Sequence, residues 1–211
     1  MTTQLEIYNL ALSHIKETQL AAVDEAREAR YVLDTHYDQD LRWMLEAGFW
    51  KFAMRTVKID YDPDTATAFG ASRVFNKPDD WVRTYLVSGS ERLDPPLEEW
   101  LEEGNTFIAD VTPIYVRYVS NSDTGYGMDM DRWTARFVEA FSWRLAVSIA
   151  PKVTGASDNA KGNLKADADN ALKEALTFEA MREPSRRPPD GRWNKARFSG
   201  YRGSSGGHRY A

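Results

Sequence analysis

The sequence predicts an α+β fold: a four-helix core with an inserted small antiparallel β subdomain and an extended basic C-terminal arm. Three observations carry this. Apolar residues recur at spacings of three and four near residues 5–47 and again near 132–181. Between them lie short runs of alternating β-branched and aromatic residues, separated by turn signals. Beyond Glu183 the chain turns to Pro, Arg, Gly and Ser and lacks the apolar content to fold alone. Runs of like elements, rather than strict alternation, indicate α+β. Residues 1–50 and 131–181 are expected to form the helical domain, 51–130 the β subdomain and 182–211 the arm.

The first helix is expected over residues 5–15, where Leu5, Ile7, Leu10, Ala11, Leu12 and Ile15 make a wide apolar face. A turn at Lys16-Glu17-Thr18-Gln19 follows. Ala22, Ala26, Ala29, Leu33, Tyr37, Leu41 and Leu45 predict a second helix over 23–47, stopped by Gly48. Alternation then predicts a strand over 52–59, and Tyr61-Asp62-Pro63-Asp64 is a turn. Residues 81–87 read as a strand. The runs 97–101 and 106–109 flank Glu103-Gly104-Asn105 as a hairpin. A further strand follows Pro113 at 114–119, and 121–130 is a polar, Gly-rich loop. Asp131 is the expected N-cap of a helix over 132–150, with Trp133, Phe137, Ala140, Phe141 and Leu145 inward and Pro151 at its end. The last helix is expected over 157–181, with Leu164, Ala168, Ala171, Leu172, Ala175, Leu176 and Phe178 on its apolar side. No internal repeat is present.

Composition narrows the chemistry. Among 211 residues there is no cysteine, which excludes disulfides, thiolate nucleophiles and cysteine metal sites. No apolar run approaches the roughly 20 residues of a membrane-spanning helix. The start, Met1-Thr2-Thr3-Gln4-Leu5-Glu6, has neither the basic region nor the apolar stretch of a signal peptide, so no membrane association is expected. The net charge of −5 is unevenly spread. From Arg182 onward eight Lys/Arg face only Glu183 and Asp190, so the arm carries +6 and the preceding residues carry −11. The arm is suited to an acidic partner, and the body to avoiding nucleic acid.

The three histidines, His14, His36 and His208, form no ligand cluster, and His14 reads as a packed or interface residue. His36 and Asp40 share a helix face, read as solvated. Asp129-Met130-Asp131 reads as a helix cap, and Asp167-Ala168-Asp169 as a solvent face, rather than as acid–base or Ca²⁺ pairs. No phosphate loop, nucleophile elbow or Cys–His pair occurs. No catalytic residue, cofactor or metal is therefore expected. A hydrolase using scattered Glu/Asp pairs is the least favoured reading. The arm offers a binder instead: Arg186, Arg187, Arg192, Trp193, Arg197, Phe198, Tyr201 and Arg202 interleave guanidinium groups with aromatic rings. Such a segment grips phosphates, or it wedges aromatics into a protein and pairs Arg with carboxylates. The second is favoured. The first is kept as the alternative, a nucleic-acid-binding module acting through the arm.

Four segments carry a resemblance. They are Tyr8-Asn9-Leu10-Ala11-Leu12-Ser13-His14-Ile15; Tyr37-Asp38-Gln39-Asp40-Leu41-Arg42-Trp43-Met44-Leu45 with Phe49-Trp50-Lys51-Phe52-Ala53-Met54-Arg55; Lys77-Pro78-Asp79-Asp80-Trp81-Val82-Arg83; and Ile114-Tyr115-Val116-Arg117-Tyr118-Val119. In order and spacing, over residues 5–181, these resemble the tail tubular protein A family, the head-to-tail adaptors of short-tailed bacteriophages and their relatives. Phe49 and the long basic arm depart from that pattern. The resemblance implies a structural virion protein, made in the host cytoplasm, that forms a dodecameric ring between the portal protein and a tail or nozzle protein. Genomic DNA would pass through its channel without sequence-specific binding. In this reading Trp50 and Phe52 are architectural and plug the helix-to-sheet junction.

Overall fold

A computed structural model describes residues 3–65, 73–155 and 158–182. The fold is α+β, with four helices and two small antiparallel sheets among the described residues. Residues Met1–Ala180 form one compact unit, and a second unit is assigned to Met181–Ala211, of which only Met181 and Arg182 are described.

Helix α1 (Gln4–His14) starts at a capping box: the Thr3 hydroxyl accepts from Glu6 N and the Glu6 carboxylate accepts from Thr3 N. Helix α2 (Glu28–Ala47) begins five residues later than the periodicity predicts. Side chains hold the intervening backbone in a non-helical path. Asn9 clamps Leu20 in both directions, at 2.8 and 3.1 Å, and Arg27 donates to the carbonyls of Thr18 and Gln19. Those bonds, with burial of Leu20, outweigh the helix preference of Ala22 and Ala26. Gly48 ends α2 as predicted.

A 3₁₀ turn over Lys51–Ala53 takes the first two residues of the expected strand, leaving β1 (Met54–Ile59). Strand β2 (Arg73–Asn76) is an element the sequence reading missed. Strand β3 (Trp81–Ser88) and strand β6 (Ile114–Ser120) match expectation within a residue. Strands β4 (Leu101–Glu103) and β5 (Thr106–Ala109) form the predicted hairpin, with Gly104 at φ +54 supplying the left-handed turn residue. The expected run 97–101 contributes only its last residue to β4. One sheet has the order β1-β6-β3, the other β2-β5-β4.

Helix α3 (Ala135–Val153) is capped by Thr134, whose hydroxyl accepts from Phe137 N. Asp131 is therefore not its cap. Asp129 caps a separate 3₁₀ turn over Met130–Arg132, which delays the helix by three residues. Pro151 does not end α3 either. It sits in the last turn, where a single missing N–H is tolerated, and the helix runs on to Val153 with Thr154 N closing on Ala150 O. Helix α4 spans Asp158–Met181.

The apolar residues divide into two cores. The larger joins α1, α2 and α3 with Ala175 of α4 and includes Trp50, Ala53 and Val119. The smaller lies among the strands: Phe75, Val87, Phe107, Ala109, Ile114, Val116 and Tyr118. Strand β6 serves both, because alternation turns Val116 and Tyr118 to the sheet core and Val119 to the helices.

Candidate protein-contact surface and the junction that supports it

Trp50 follows the end of α2 and is fully buried. Its indole N–H donates to Met44 O at 2.6 Å, and its ring meets Phe137 edge-on at 4.8 Å. Phe52 packs on the same Phe137, also at 4.8 Å, and is half-buried. Both lie where helix passes to sheet. Gly48 makes room for Trp50 and Leu176: a Cβ there would stand 2.3 Å from Leu176 and 3.1 Å from the Trp50 ring.

Residues from three separate resemblance segments meet beside this junction. The Asp80 carboxylate accepts from Arg55 at 2.7 Å and from the Tyr118 hydroxyl at 2.8 Å, and also from Ser120. Burial works against charge on Asp80, but these donors outweigh it and hold its carboxyl below the usual range. Burial, then the bond to Asp80, pushes the Tyr118 hydroxyl up, so it stays a neutral donor. Three residues along β3, Arg83 donates to Glu46 O at the end of α2 and stacks over Phe49 at 4.3 Å. A cation at a helix C-terminus is favourable in itself. The aromatic at 49 thus has a defined task, packing against Arg83 and, at 4.9 Å, Tyr85.

A second polar knot ties the sheets together. Lys77 is buried, yet its ammonium donates to Glu102 at 3.0 Å and to Gly104 O at 2.9 Å, and it sits 3.7 Å from the Trp81 ring centroid. Thr84 donates to Glu102 and accepts from Trp81 Nε1. The β4–β5 hairpin is thereby fastened to β3.

The reading of His36 and Asp40 as one solvated face is overturned for Asp40. It is 3% exposed and pairs with Arg144 at 2.9 Å, while Arg144 stacks on Trp43 at 4.2 Å. The position 40 register of α2 points at α3, and a long Arg three residues beyond Phe141 reaches it. Helical spacing alone marks no such partner. Asp167 and Asp169 are exposed, as expected, and among the described residues no group of His, Asp and Glu is placed to hold a metal.

His14 is packed: its ring stacks on Trp143 at 3.6 Å and its Nε2 lies 3.0 Å from the Ser142 hydroxyl. Burial pushes its pKa down, with Glu139 and Asp167 opposing, so it is neutral at pH 7. It borders a groove of about 650 Å³ between α1 and α3, lined by Glu6, Leu10 and Ser13 on one wall and Ala135, Val138 and Glu139 on the other. Leu10 is 41% exposed there although its neighbours Ile7, Tyr8, Ala11 and Leu12 are buried. The sequence reading counted Leu10 on the wide apolar face of α1. Arg186, Arg187, Arg192, Trp193, Arg197, Phe198, Tyr201 and Arg202 of the arm lie outside the described residues. No helix described here is long and apolar enough to cross a membrane. No protein-family model matches the chain, and no characterised protein matches it in sequence.

Proposed function

We propose that the chain is a structural virion protein, a head-to-tail adaptor that forms a ring between portal and tail with a central channel for DNA. The observation that carries this is that Arg55 and Tyr118 converge on Asp80, while Arg83, from the same segment as Asp80, bonds the end of α2 and stacks on Phe49. These residues come from three of the four segments on which the adaptor resemblance rests. The segments are far apart in sequence, yet they are spent on one another and on the end of α2. Side chains that satisfy each other inside a fold do architecture rather than chemistry on a substrate. Charge supports the same reading. A body of −11 lets a polyanion slide past instead of binding it, and the +6 charge of the arm matches an acidic protein. Repetition of one heterologous contact closes a ring.

The test is electron microscopy of the purified full chain, alone and mixed with the portal of the same virus. Rings that stack coaxially on the portal are expected. A chain that stays monomeric and never joins the portal overturns the proposal. If it instead shifts duplex DNA with a steep salt dependence, the nucleic-acid-binding alternative takes its place.

A further inference from the structure

The α1–α3 groove has a chemistry that selects its occupant. Its two walls carry apolar side chains, the 41% exposed Leu10 on one and Ala135 and Val138 on the other. Its volume of about 650 Å³ falls within the roughly 300–1,000 Å³ of pockets that bury compact ligands or anchor side chains. The ionised groups lining it are both acidic, Glu6 and Glu139. The Glu6 carboxylate is tied to Thr3 N by one bond, which leaves acceptor capacity. Glu139 meets Arg136 at 3.3 Å, but both side chains are half-exposed and Arg136 is shared with Glu174 at 3.4 Å, so that pair is weak and exchangeable. His14 adds no charge. The groove therefore suits a segment with large aromatic rings flanked by cations.

This chain contains such a segment. Between Arg186 and Arg202 it has Trp193, Phe198 and Tyr201 among Arg186, Arg187, Arg192, Lys195, Arg197 and Arg202, with Asp190 the sole acid. We infer that the α1–α3 groove is the receptor for residues 186–202 of a second copy of this chain. The inference rests on the ring reading, which brings a neighbour's arm alongside. Aromatic rings enter over Leu10 and Val138, and guanidinium groups pair with Glu6 and Glu139. A bond made by a segment of another copy suits a late step, between subunits already gathered. Each subunit gives one arm and receives one, a heterologous contact that propagates around a ring.

The experiment uses the full chain with a photo-crosslinking amino acid in place of Trp193, mixed as isotopically light and heavy copies at high concentration. Crosslinks joining light to heavy chains and mapping to residues 6–19 and 135–142 are expected. Leu10→Arg and Glu139→Lys, both at exposed positions, should reduce them at least about ten-fold, which corresponds to ~1.4 kcal/mol. An unchanged circular-dichroism melt shows that the variants fold. Crosslinks confined to single-isotope species, sited elsewhere, or indifferent to both variants overturn the inference. The two proposals fail separately. Rings on the portal with the arm crosslinked elsewhere refute the groove and keep the adaptor. Inter-chain groove crosslinks in a protein that never joins a portal do the reverse.

Discussion

At the residue scale, the two positions that matter most are Trp50 and Asp80, for opposite reasons. Trp50 contributes area. Its ring is enclosed by Phe137 and Phe52, and its one polar atom is satisfied by Met44 O. Trp50→Ala removes that packing and leaves a cavity at the helix-to-sheet seam, and is expected to cost about 3–5 kcal/mol in urea unfolding. A mutant of wild-type stability with a specific binding defect would show that Trp50 is an anchor for another molecule. Asp80 contributes charge. Its folded pKa is depressed, so its stabilisation is fully present above the unfolded carboxylate value of roughly 3.9 and is lost as pH falls through the lower folded value. Asp80→Asn should therefore lower stability at pH 7 by about 1.5–3 kcal/mol and narrow the gap to wild type as the pH is brought to the acid side of that window. Unfolding curves for both proteins across that range check the sign. A constant gap would mean that the carboxylate's charge is irrelevant.

At the element scale, the β4–β5 hairpin pairs with β2 and is tied to β3 through a buried ammonium and Thr84. Lys77 lies under Trp81 with Glu102 and Gly104 O as its acceptors, and Glu102 remains a third exposed at its side chain. Removing one partner of a buried pair leaves the other unpaired, whereas removing both leaves an apolar contact. Lys77→Met alone should thus destabilise by more than Lys77→Met combined with Glu102→Gln, and the double-mutant cycle should give a coupling of about 0.5–3 kcal/mol. Strictly additive effects would dismiss the knot. The same element shows what the sequence made legible. The hairpin was readable because Gly104 sits between two β-rich runs, and β6 because its alternation spans seven residues. Strand β2 was not, since four residues, Arg73–Asn76, show no period by themselves and gain strand geometry only from pairing with β5. The start of α2 failed for a related reason: Asn9 and Arg27 take the backbone of 18–20 from a distance. Trp50 at the junction was foreseen because a large aromatic at a helix end has few places to go. The α1–α3 groove was not, because Leu10 is apolar and at helical spacing like its buried neighbours, and only the offset between two packed helices leaves it open.

At the scale of the whole molecule, the charge is divided as the elements are: −11 up to Met181 and +6 beyond it. The two parts answer to different constraints. Among the described residues, the cores are built from α1 to α4 and every strand but β4, and none of their members lies beyond Leu176. Truncation after Met181 is therefore expected to leave the melting transition of the body within about 0.5 kcal/mol of the full chain, the scatter of surface changes. Assembly should respond differently. An arm rich in cations and aromatic anchors adds contacts to an acidic neighbouring surface. On the ring proposal, an acidic body without it would approach acidic copies of itself with nothing to offset the repulsion. Virions assembled with the truncated protein should carry fewer adaptor subunits and lose DNA, and the defect should deepen at low salt, where screening of the body's charge is weakest. Adaptor occupancy by quantitative mass spectrometry and genome retention by nuclease protection measure the two effects separately. Normal occupancy with leaking genomes would assign the arm to sealing the joint rather than recruiting the subunit. Full occupancy with full retention would make the arm dispensable, and the opposite charges of arm and body would then have no part in joining head to tail.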